Sequence, residues 1–112
     1  MAPEPRLKAG LWVAAYLARL RLKAIPAFVV ARGDETAGAV LVVVSTLDGR
    51  SVAHQRSFDL LTGERAWVVL AEGEDAEVAG AVSRQRRFDP DLWVIEVEDR
   101  EGRSLLGEEG LG

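Results

Sequence analysis

No cysteine occurs in the 112 residues, which excludes disulfide stapling, thiolate metal sites and every mechanism built on a cysteine nucleophile. Stability has to come from packing. His54 is the single histidine, and histidine catalysis needs an orienting carboxylate and a partner nucleophile that the sequence does not set beside it. Lysine is confined to Lys8 and Lys23 and asparagine is missing, while Ala, Gly, Val and Arg are abundant. That bias fits a GC-rich bacterial genome and carries no functional meaning. Phosphate-binding loops, zinc-protease helices, nucleophile elbows and dinucleotide glycine patterns are all absent. Gly33-Asp34-Glu35 begins a turn but leads to a strand, so it lacks the helix start that would hold a phosphate. The apolar run Leu11 to Ala18 is too short to span a bilayer, and Met1 to Arg6 shows no secretory pattern. A cytoplasmic location is expected.

What is present is a globular composition, 48% hydrophobic and 29% charged, in a length suited to one domain over residues 1–112. The ends, 1–6 and 107–112, are expected to be flexible because one is proline-rich and the other glycine-rich. A net charge of -4 argues against a general nucleic-acid binder, whose affinity comes from a cationic surface.

Good helix formers run from Leu7 to Lys23, with Pro3 and Pro5 before them, and predict a first helix. Leu7, Leu11, Ala14, Ala15, Ala18 and Leu22 follow helical spacing, but Trp12, Val13, Tyr16, Leu17 and Leu20 widen the apolar belt beyond one face. After Pro26, Phe28 to Val30 and Val40 to Val44 read as strands, the second apolar on both faces and so central in a sheet. Asp48-Gly49 is a hairpin signal leading into Ser51 to Phe58, whose His54, Gln55 and Arg56 suit a position near an edge. Trp67 to Leu70 forms a fourth strand. From Asp75 to Arg87 acids precede arginines, the order that complements a helix dipole. Pro90 ends that helix, and Trp93, Ile95 and Val97 alternate with Val94, Glu96 and Glu98 in a strand with one buried face. The fold class is α+β, a mostly antiparallel sheet of about five strands with two helices, in the order α-β-β-β-β-α-β.

Three segments carry a family resemblance: Val30-Ala31-Arg32-Gly33-Asp34 with Ala37-Gly38, Leu47-Asp48-Gly49, and Arg87-Phe88-Asp89-Pro90-Asp91-Leu92-Trp93 running into Glu96-Val97-Glu98-Asp99-Arg100. Together they resemble a family of small alphaproteobacterial proteins known as domain of unknown function 1491, over roughly Leu7 to Leu106. The resemblance implies no activity, substrate or cofactor.

Asp89, Asp91, Glu96 and Glu98, with Asp99 beside them, form the set most suggestive of chemistry, since clustered carboxylates bind hard cations. The alternatives are that Asp89 caps or pairs with Arg84, Arg86 or Arg87, and that the glutamates lie on a solvated face. The arginines at the second helix end could join Arg19, Arg21 and Lys23 in one nucleic-acid-binding stripe, although a helix end already gives them an electrostatic reason to be there. The favoured reading assigns no catalytic residue, cofactor or metal. It is a homodimeric interaction or structural module, because doubly apolar strands need more cover than two helices supply. Its anchors are Trp12 and Tyr16, Trp12 because it shares a helix stripe with Lys8, Arg19 and Lys23. The alternatives are a metal-assisted hydrolase using the four carboxylates and a weak nucleic-acid binder.

Overall fold

The computed structural model describes residues 7–58, 61–63, 65–108, 110 and 111. The N-terminal end expected to be flexible, 1–6, lies outside these, as do residues 109 and 112. Helix α1 spans Ala9–Leu22 and α2 spans Asp75–Phe88, with strands β1 Ala27–Ala31, β2 Val40–Ser45, β3 Arg50–Phe58, β4 Arg65–Glu74 and β5 Trp93–Glu98. The α-β-β-β-β-α-β order is therefore the observed one.

The five strands form one sheet in the order β1-β5-β2-β3-β4. Strands β2, β3 and β4 are an antiparallel meander, and α2 then carries the chain back across the sheet, so that β5 enters between β1 and β2. There β5 runs parallel to β2 and antiparallel to β1. The sheet is thus mixed, with one parallel pair, because a helical crossover reverses the chain once more than a hairpin does. Strand β5 was expected to bury one face only. Sitting between two neighbours, it buries Trp93, Ile95 and Val97 on one side and Val94 on the other, with Glu96 and Glu98 half-buried.

Alternation along the strands divides the core into two layers. On one face Val40, Val42, Val44, Trp93, Ile95 and Val97 pack under α1. On the other, Leu41, Ala53 and Val94 pack with Val78 of α2. Strand β2 is buried on both faces, as its unbroken apolar run requires.

Helix α1 buries a different stripe from the one led by Leu7 and Leu11. Ala9, Trp12, Val13, Tyr16 and Leu20 face the sheet, while Leu11 and Leu22 point outward. Both stripes have helical spacing; the one with two aromatic rings removes more apolar area from water, and it wins. Over its described residues the glycine-rich tail packs back on the fold. Leu106 and Leu111 are buried under α1, the Tyr16 hydroxyl donates to the Ser104 carbonyl at 2.7 Å, and Trp67 Nε1 donates to the Leu111 carbonyl at 3.0 Å. The tail supplies cover over β3 and β4 that a third helix would otherwise have to provide.

Candidate functional site: a tryptophan-floored cationic pocket

The segments that carry the family resemblance meet in space. The Asp34 amide donates to the Asp91 carbonyl at 2.9 Å, and Trp93 Nε1 donates to the Asp34 carbonyl at 2.8 Å. Arg86 reaches from α2 to donate to the carbonyls of Arg32, Pro90 and Leu92. Within the loop, the Asp34 carboxylate accepts from the amides of Thr36 and Ala37, an Asx turn that fixes the bend. Gly33 and Gly38 are needed because the backbone of the turn at Asp91 lies against them; a Cβ on Gly33 would meet the Asp91 carbonyl oxygen at 2.1 Å. These residues lock the loop joining β1 to β2 onto the turn before β5.

That locked loop forms one wall of a pocket of about 550 Å³. The other walls are the start of α1 and the outer strands β3 and β4, which contribute Lys8, Arg56 and Arg65, with Trp12 and Val40 also lining it. Arg56 lies over two indoles, 5.2 Å from the ring centre of Trp12 and 4.9 Å from that of Trp67. Trp12 also stacks on Tyr16, with ring centres 5.0 Å apart. Trp12 is thus packed against Tyr16, Arg56 and the tilted ring of Trp67, whose centre lies 5.5 Å away. No carboxylate side chain lines the pocket among the described residues. Helix α1 starts there with no side-chain cap and no acidic residue of its own in the first turn, and the Glu35 carboxylate of the β1–β2 loop lies against that turn at Gly10. The amides of Ala9 and Gly10 are bonded to the loop carbonyls of Thr36 and Glu35.

The predicted acidic set does not converge. Asp89 accepts from the Asp91 amide at 3.1 Å and shapes the turn before β5, and no Arg84, Arg86 or Arg87 bond to its carboxylate is present. Glu96 and Glu98 lie further along β5 on the α2 side, about 16 and 23 Å of extended chain away from Asp91. Among the described residues no group of three potential ligands could hold a metal. Burial pushes the Glu96 carboxyl above the ordinary carboxylate range, and the charges of Glu98 and Asp75 push it the same way. Asp99 is lowered by its hydrogen bonds from Arg103, at 3.0 Å from both Nε and Nη2.

The arginine stripe is not formed either, since Arg19, Arg21 and Lys23 ride on α1 and Arg84, Arg86 and Arg87 on α2, on opposite faces of the sheet. Trp12 and Tyr16 do not stand out as subunit anchors: Trp12 is 5% exposed and Tyr16 fully buried within their own chain. Burial pushes the Tyr16 phenol well above its ordinary range, so it stays a donor. His54 is half-buried on β3, opposite Val69 of β4, and burial lowers its pKa against the opposing pull of Glu72. Arg56 and Arg65 were not singled out from sequence. The signal was there as a charged residue and an aromatic at inward strand positions, but it means something only once Arg56 is known to pair with Trp67.

A two-helix, five-stranded mixed sheet whose β1–β2 loop is locked onto the turn before β5 defines a class of small α+β domain. The chain belongs to the family described as protein of unknown function (DUF1491), which matches residues 7–107. It is similar to the crystal structure of a DUF1491 protein from Caulobacter crescentus CB15, with a TM-score of 0.83 and 36% identity over 92% of this chain and 97% of that one. The NMR structure of a DUF1491 protein from the same organism gives 0.79 and 36%, over 91% and 94%. A solution structure from A. tumefaciens gives 0.71 and 34%, over 84% and 86%. A search of the curated proteins returns no match. No helix among the described residues is long and apolar enough to cross a membrane.

Proposed function

We propose that the protein is a cytoplasmic bacterial interaction module that works as a homodimer, without catalysis, and that its pairing surface is β1. The observation that carries this reading is the composition of that edge strand. Ala27–Ala31 contains no charged residue, and Phe28, Val29 and Val30 are 43%, 36% and 58% exposed. An apolar edge with open backbone groups and no charge tends to pair with another strand. Strand β4, at the other end of the sheet, carries Arg65, Glu72 and Glu74; both edges are bulged, β1 between Val29 and Ala31 and β4 against Ala53 and His54, so charge is what sets them apart.

A second copy suits β1 better than a charged partner does. Two such strands pair antiparallel about a two-fold axis, apolar against apolar, and the contact closes without leaving a further edge at that end. Beside it lies a groove of about 300 Å³ lined by Leu17, Ala24, Ile25, Pro26 and Ala27, with Arg21 as its one charged lining residue among those described. Leu22 stands 86% exposed just before that groove. Sedimentation equilibrium of the wild type and of Val30→Lys tests the reading. A two-chain mass that falls to one chain in the variant supports it; a single-chain wild type at micromolar concentration overturns it.

A further inference from the structure

We infer, on the reading of β1 as the pairing surface, that two copies of the chain meet about a two-fold axis passing between their Phe28 residues, each copy setting Val29 against the other's apolar groove. The first observation is which backbone groups are open. The Glu98 amide donates to the Pro26 carbonyl at 2.9 Å, so Pro26 turns its backbone toward β5. Backbone groups alternate between the two sides of an antiparallel strand. Phe28, paired with Glu96, therefore also faces β5, and the N–H and C=O groups of Ala27 and Val29 point to the open edge. Pro26 has no N–H to offer, and a bulge shifts the strand between Val29 and Ala31. The regular edge is thus Ala27 to Val29, and Phe28 is its centre.

With the axis at Phe28, Ala27 of each copy lies opposite Val29 of the other, and both pairs exchange their N–H and C=O groups. An axis at Val29 would instead set Ala27 against Ala31, which pairs with Val94 inside the chain. An axis at Ala27 would set Val29 against Ile25, whose amide is bonded to the Leu20 carbonyl at 3.0 Å. Either shift leaves open groups without partners, which is the costlier arrangement. The side chains favour the same axis. Ala27 and Val29 pair with Val97 and Ile95 and so lie on the α1 side, where Ala27 lines the groove with Leu17, Ile25 and Pro26. Val29 of the other copy arrives at Ala27 and covers that groove. Phe28, 43% exposed, lies on the opposite side with Glu96, and there it meets Phe28 of the other copy as a close cross-strand aromatic pair. No charged residue occurs from Ala27 to Ala31, so no like charges oppose across the axis of a chain whose net charge is -4.

Because the chain has no cysteine, single-cysteine cross-linking of the full chain locates the axis. Phe28→Cys sets two thiols across the axis at close cross-strand spacing, within disulfide reach, whereas Ala27→Cys and Val29→Cys set theirs about 8 Å apart at Cα, beyond it. Val69→Cys, on β4 at the other edge of the sheet and 54% exposed, measures chance encounters. Under mild oxidation at micromolar concentration, Phe28→Cys is expected to form the covalent two-chain species at least about tenfold faster than the other three. In the wild type the Ala27 and Val29 amides should exchange slowly with solvent and lose that protection on dilution. Faster cross-linking of Ala27→Cys or Val29→Cys overturns the axis at Phe28 and leaves β1 as the pairing surface. A two-chain wild type in which no β1 cysteine exceeds the Val69→Cys rate overturns both the axis and the pairing surface, and so does a single-chain wild type. Should Phe28→Cys itself sediment as one chain, the wild-type amides decide: Ala27 and Val29 unprotected in a two-chain sample overturn the proposal.

Discussion

At the scale of single residues, the family-specific stretch turns out to do structural work whose consequence is a pocket wall. Gly33 is the clearest case, since a Cβ there would lie 2.1 Å from the Asp91 carbonyl oxygen and 2.6 Å from Cδ1 of Trp93. Neither neighbour is a flexible chain end. Gly33→Ala is expected to destabilise the fold by about 2 kcal/mol, the usual scale for forcing an added carbon into a packed site, as read from urea denaturation. An unchanged midpoint would mean that the loop is not locked. His54 carries a different consequence. Burial lowers it below its ordinary value of 6.5, so on acidification the unfolded chain takes up the proton first. Its contribution is complete above about pH 6.5 and is lost as pH falls through the lower folded value. Glu96, raised from 4.5, acts with the opposite sign and favours the folded state as pH falls toward that value. Denaturation midpoints at fixed protein concentration should therefore decline in the wild type from about pH 7 to about pH 5.5, and decline less in His54→Gln. Parallel declines in the two proteins would remove His54 from the account.

At the scale of elements, the C-terminal tail makes the strongest prediction. Leu111 is 1% exposed, held between α1 and the sheet, and Trp67 donates to its carbonyl. Leu111→Ala should cost about 2 kcal/mol or more, as a truncated core leucine does, whereas a frayed tail would make the change neutral. The tail also shows where sequence reading stops. Its glycines argue for mobility, and only two leucines and two distant aromatic donors argue against it. Nothing local connects Trp67 to Leu111 or Tyr16 to Ser104. The elements themselves were legible because each has its own pattern: the doubly apolar run of β2, the Asp48-Gly49 turn, the acid-to-base order of α2, and Asp89-Pro90 as its end. The burial stripe of α1 was not, because two stripes satisfy the same period and the choice depends on what the sheet presents to them. The acidic set misled for a related reason. Proximity in sequence places Asp91 near Glu96, but an extended strand carries them apart, and the turn and the sheet face then use them separately.

At the scale of the whole molecule, one crossover decides most of the architecture. By inserting β5 between β1 and β2, α2 gives the sheet its parallel pair, buries β5 on both sides and pushes β1 out to an edge. Two helices and a tail then share the covering. Helix α1 lies over the β1, β5 and β2 side of one face, and α2 packs against β3 and β4 on the other. That leaves an uncharged strand with three exposed apolar residues at the rim. Sequence pointed to unsatisfied apolar surface and assigned it to Trp12 and Tyr16; the chain buries those two itself, and the surplus lies on β1. The central claim is that a second copy covers β1, and it is most directly tested by isotope-filtered NMR on a mixture of labelled and unlabelled chains. A β1–β1 dimer gives intermolecular contacts between Phe28 to Val30 of one copy and the same strand of the other, in antiparallel register. A sample with no intermolecular contacts at millimolar concentration, or with contacts confined to another surface, would contradict it.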